Sequence, residues 1–84
     1  MSKIYGVFDV KADAFLHIMV LNTNGQATRG FADVVNDPNS QVSRHPEDYK
    51  LMVLADFDES SGRISPKDPE SLGFGVEYVA RKDG

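Results

Sequence analysis

The chain has 84 residues, no cysteine, and nine Lys and Arg against thirteen Asp and Glu, a net charge of −4. That length makes a single domain, residues 1–84, without disulfide or thiolate metal support, so a compact apolar core, alone or shared with a second copy, must hold it together. Hydrophobic residues at 40% and charged residues at 26% exclude wholesale disorder, and the acidic balance weighs against the clustered cations of a strong nucleic-acid binder.

Residues 3–10 alternate, with Ile4, Phe8 and Val10 on one side and Tyr5, Val7 and Asp9 on the other, which is strand period. Lys11 to Ala14 reads as a turn. Residues 15–21 are almost continuously apolar, which suits a strand covered on both faces. Thr23 followed by Gln26 fits a capping box at a helix start. Ala27, Phe31, Val34 and Val35 then form one apolar stripe, with Arg29 and Asp33 outside it. Asn36-Asp37-Pro38 ends the helix, because proline cannot continue it.

Residues 38–48 are rich in turn formers, with room for one short helical turn. The stretch 49–57 is the strongest strand. Tyr49, Leu51, Val53, Ala55 and Phe57 make one face, and Met52 and Leu54 make the other apolar too. It belongs in the middle of a sheet or at a subunit contact. Asp58 to Gly62 is a hairpin loop, from which Arg63-Ile64-Ser65 returns briefly. Pro66 and Pro69 bar that return from a central position. A last strand is expected over 73–81, with a bulge at Gly73-Phe74-Gly75 and a frayed tail.

These elements predict an α+β fold: an antiparallel sheet of four or five strands with one amphipathic helix on one face. The other face would carry Met52, Leu54, Val79 and Val7, an apolar surface that predicts self-association as a dimer or higher oligomer. No apolar run approaches the roughly 20 residues of a membrane span. The amino end lacks a signal-peptide layout, so the expected location is the cytoplasm of the producing cell.

Chemistry-bearing patterns are sparse. No Gly-x-Ser-x-Gly elbow or phosphate-cradling loop is present, so neither enzyme activity, a cofactor nor a small-molecule substrate is expected. His45, Glu47 and Asp48 could be read as metal ligands, but a turn begun by Pro46 and capped by the two acids accounts for them more simply. His17, inside an apolar strand, reads as a hydrogen-bonded core or interface histidine. Asp56, Asp58 and Glu59 read as a solvated acidic turn, since they lack the spacing of a calcium loop.

The cations offer one further pattern. Lys3, Lys50 and Arg81 stand near predicted strand ends beside Tyr5, Tyr49 and Tyr78, and Arg44 and Arg63 flank them in loops. Basic residues interleaved with flat rings are what single-stranded nucleic acid requires. Ordinary solubilising charges beside core-edge tyrosines would give the same pattern.

Several segments, in order, also match a known family. They are Ile4-Tyr5-Gly6-Val7-Phe8-Asp9, the helix from Ala27 through Arg29 and Phe31 to Asp37, Arg44-His45-Pro46-Glu47-Asp48-Tyr49, and Leu54-Ala55-Asp56-Phe57-Asp58 with Gly62 and Ile64. In these the chain resembles the nonstructural protein family of gokushoviruses, small tailless phages with single-stranded DNA genomes. The resemblance implies a viral protein made in an infected bacterium and associated with single-stranded DNA during genome synthesis or packaging. It implies no catalysis. On that reading the expected contacts are Lys3, Tyr5, Arg29, Arg44, Lys50, Arg63 and Arg81, with Tyr49 and Tyr78 as further stacking surfaces. The competing reading is a homodimeric interaction module that holds a viral or host protein without touching DNA.

Overall fold

The computed structural model describes residues 1–80. Strands β1 (Ser2–Asp9) and β2 (Ala14–Leu21) form a hairpin, followed by helix α1 (Asn24–Val35) and a short helix α2 (Gln41–Arg44). A 3-10 turn at Pro46–Asp48 leads into β3 (Tyr49–Asp58), β4 (Arg63–Phe74) and a second 3-10 turn at Gly75–Tyr78. The four strands form one antiparallel sheet in the order β2-β1-β3-β4. The α+β architecture is as expected, with four strands and one main helix.

Helix α1 starts where its cap chemistry places it. Thr23 is extended, and its hydroxyl accepts the Gln26 backbone N–H at 3.1 Å. The reciprocal bond differs from a capping box, because Gln26 Oε1 accepts the N–H of Asn22 rather than that of Thr23. The helix stops at Asn36, whose side-chain amide donates to Ala32 O at 2.7 Å and to Tyr78 O at 3.0 Å. Its Oδ1 accepts Ala80 N–H at 2.8 Å, so one residue ends the helix and ties down the segment after β4.

The core lies between α1 and one sheet face. Ala27, Phe31 and Val35 from the helix and Val42 from α2 cover Tyr5, Val7, Tyr49, Leu51 and Val53. Val34, expected in the stripe, is 37% exposed instead. The twelve-residue helix lies over the central strands, and Val34 faces the gap beside β2.

Four expectations need correction. Strand β2 is not covered on both faces: it is an edge strand, with Ile18 58% and Val20 50% exposed. The return after the hairpin is not brief, since β4 runs twelve residues through both prolines. It does so at the other edge, where one side needs no ladder partner. Residues 75–78 form a 3-10 turn rather than a fifth strand. Gly73 at φ 117 redirects the chain, and the bulge falls at Leu72, just before the Gly73-Phe74-Gly75 run where it was expected, since Leu51 and Met52 oppose Gly73 and Ser71. Finally, Val7 is buried under the helix instead of lying on the open face.

Candidate functional site

One cross-strand row runs over the whole sheet. Phe15 on β2 opposes Phe8 on β1, Phe8 opposes Lys50 on β3, and Lys50 opposes Phe74 on β4. Directly paired residues share a face, and this is the face away from α1. Phe8 and Phe15 meet edge to face with centroids 4.9 Å apart. The Lys50 ammonium lies 5.6 Å from the ring centroids of both Phe8 and Phe74, within cation–π range of each. Phe15 is 39% exposed, while Phe8, Phe74 and Lys50 are half-buried.

Beside the row the sheet surface is apolar. A Cβ on Gly6 would lie 2.9 Å from Ile18 Cδ1, 3.0 Å from Phe15 Cδ1 and 3.1 Å from Leu54 Cδ1. Those three side chains therefore close over the space a larger residue would fill. The face presents flat rings, the Lys50 cation and an aliphatic patch.

The tyrosines do a different job from the one expected. Tyr5 is fully buried, and its hydroxyl donates to Asn24 Oδ1 at 2.8 Å. Tyr49 is buried in the same core. Tyr78 packs edge to face on Phe31 at 5.4 Å and donates its hydroxyl to Leu72 O. Burial pushes all three phenols above their ordinary value, and nearby carboxylates add to the rise at Tyr49 and Tyr78. Tyr5 and Tyr49 present no free ring face for a base, which corrects their assignment as stacking surfaces.

Nor are the cations gathered. Arg29 is on the exposed side of α1, in the opposite layer from the row. Lys3 opposes Asp56, and Arg63 opposes Asp58, toward the far end of β3. Arg44 ends α2, just before the turn that leads to Lys50. Arg81 lies outside the described residues. Among the described residues no Lys or Arg side chain is within 4.0 Å of a carboxylate. Only Lys50 of the expected set belongs to the aromatic row.

The other sequence candidates take structural places. His45, Glu47 and Asp48 bring donor atoms within 4.8 Å of one another at the surface, and His45 Nδ1 is 4.0 Å from Glu47 Oε1. Pro46 does begin the turn, but neither acid caps it. Asp58 accepts the N–H and hydroxyl of Ser60, which holds its carboxyl below the usual range. Glu59 is lowered too, first by the Ser2 hydroxyl and then by the Met1 amine. His17 is an exposed residue at φ 52 rather than a core histidine. It occupies a bulge that lets Leu16 oppose Val7 while Met19 opposes Tyr5.

Sequence reasoning missed Phe8, Phe15 and Phe74. Phe8 was already on the side of β1 opposite Tyr5 and Val7, and that alternation was the available signal. The register that lines up four strands was not.

The sequence profile of the Phage ORF5 protein family matches residues 2–78. The chain belongs to this family. The match spans every strand and helix, and it includes all four residues of the row. No curated protein matches the chain, and neither does any solved structure. Among the described residues, no helix is long and apolar enough to cross a membrane.

Proposed function

We propose that this phage protein binds single-stranded DNA without sequence preference, through the open face of its sheet, during viral genome synthesis or packaging. The observation that carries the reading is Lys50 between Phe8 and Phe74 in one row with Phe15. Successive bases stack on the rings, and the ammonium meets the intervening phosphate. Membership of a phage family and the resemblance to gokushovirus nonstructural proteins support that role, to be played in the cytoplasm of the infected bacterium. The chain acts by binding, not by catalysis, and needs no cofactor.

Fluorescence anisotropy with a labelled oligonucleotide tests this. Phe74→Ala and Phe15→Ala should each weaken binding by about 1–3 kcal/mol, and Lys50→Gln by a comparable amount. Arg29→Gln, in the other layer, should change little. Wild-type protein that fails to bind at low salt would defeat the proposal.

The apolar surface around Gly6 supports a second reading, in which this face holds a viral or host protein and DNA is contacted only indirectly. A partner that survives nuclease treatment and is lost from Leu54→Lys would favour it.

A further inference from the structure

The two edges of the sheet are unlike. Strand β4 carries Pro66 and Pro69, which offer no N–H, together with Lys67, Asp68 and Glu70. Those are the devices that keep an edge from pairing. Strand β2 reads Ala-Phe-Leu-His-Ile-Met-Val-Leu, with no proline, no lysine and no acid. Its side chains are exposed as well as its backbone edge, since Ile18 and Val20 stand half open on the helix-free side. On the other side, two grooves of about 400 and 260 Å³ run along the same strand, and both are lined by His17 and Val34. Unpaired backbone, bare aliphatic side chains and unfilled apolar grooves therefore coincide at one edge.

We infer that β2 pairs antiparallel with β2 of a second copy, joining two sheets of four into one continuous sheet of eight strands. The occupant is a second copy, because β2 is itself an uncharged, apolar strand of the kind its own edge can accept, and no like charges meet across that seam. Each copy carries a net −4, and self-pairing brings identical surfaces together, so the seam must be free of like charges. Only β2 meets that condition. The blocked β4 edge leaves nothing for a third copy, so the pairing closes at a dimer rather than growing into a fibre.

The register follows from the bulge. His17 confines regular pairing to Ile18–Leu21. Paired residues must share a face, and a two-fold axis at Met19 achieves this by opposing Ile18 to the partner subunit's Val20. That axis is perpendicular to the sheet, so both aromatic rows end on the same side. The inference stands without the DNA reading, although it would give DNA a platform twice as wide.

Light scattering on the full chain, without nucleic acid, tests the association. Wild type should run at twice the 9.3 kDa chain mass. The double variant Ile18→Lys, Val20→Lys should run at the single mass, and Ile64→Lys on β4 should remain paired. Since the chain has no cysteine, Met19→Cys tests the register independently: oxidation should give a disulfide-linked dimer quickly, with Ile64→Cys far slower. Amide exchange across Ala14–Leu21 should slow as protein concentration rises. A monomeric wild type overturns the inference, as does a dimer in which Met19→Cys links no faster than Ile64→Cys. A monomer that still binds oligonucleotide would sink the dimer and leave the DNA proposal intact.

Discussion

Gly75 shows how little slack single positions have. A Cβ there would sit 2.7 Å from Pro46 O and 3.2 Å from Val35 Cγ2. The carbonyl is backbone and cannot swing aside, so the turn after β4 would have to lift off the turn before β3. Gly75→Ala should therefore cost about 1–3 kcal/mol, the usual range for forced overpacking. Urea denaturation measures it, and an unchanged midpoint would mean the two turns do not touch in solution. Lys50 is the opposite case, a side chain placed by two rings with no carboxylate of the described residues within 4.0 Å. A half-buried cation with aromatic walls and no carboxylate keeps its attraction for an incoming anion.

At the level of elements, α1 joins to the sheet by packing far more than by capping. Phe31 is buried in the core, whereas the Thr23 cap lies at the surface. Phe31→Ala should cost about 3–5 kcal/mol and Thr23→Ala about 1 kcal/mol. Comparable losses in thermal melts would refute that ranking. These were also the legible parts of the sequence. A cap residue and an apolar stripe are local signals, and β3 announced its central place by being apolar on both faces. Strand β4 was hard to read because every residue from Arg63 to Ser71 is exposed, so no alternation marks it. The false fifth strand arose because Phe74, Val76 and Tyr78 alternate like a strand while the backbone turns at Gly73 and Gly75. The site was legible only in pieces. Tyrosine beside lysine drew attention along the chain, yet lateral pairing put phenylalanines beside Lys50 and sent the tyrosines inward.

For the whole molecule, charge distribution governs how binding should respond to salt. The principal axis is 49 Å long, and Lys3 and Arg63 lie toward the far end from Lys50, among Asp56, Asp58 and Glu59. Few cations can meet one strand at once. With Lys50, joined at most by Arg44 and by Lys11 of the β1–β2 turn, neutralising one to three phosphates, log K should fall against log salt with a slope of about −0.7 to −2.1. A titration series across salt concentrations checks this, and a slope near −4 would point to a many-phosphate surface instead of stacking. An acidic protein that binds mainly through rings can thus keep its affinity at ionic strengths that release strongly basic binders.

The clasp formed by Asn36 with Tyr78 and Ala80 also sets an order of events during synthesis. The helix and its terminal amide leave the ribosome more than forty residues before the carbonyl and N–H that they join. Until those late residues emerge, Phe31 lacks its ring neighbour and the nascent chain holds its central layer ajar. Closure thus waits for Tyr78 and Ala80, and a product stalled before them would stay unsealed.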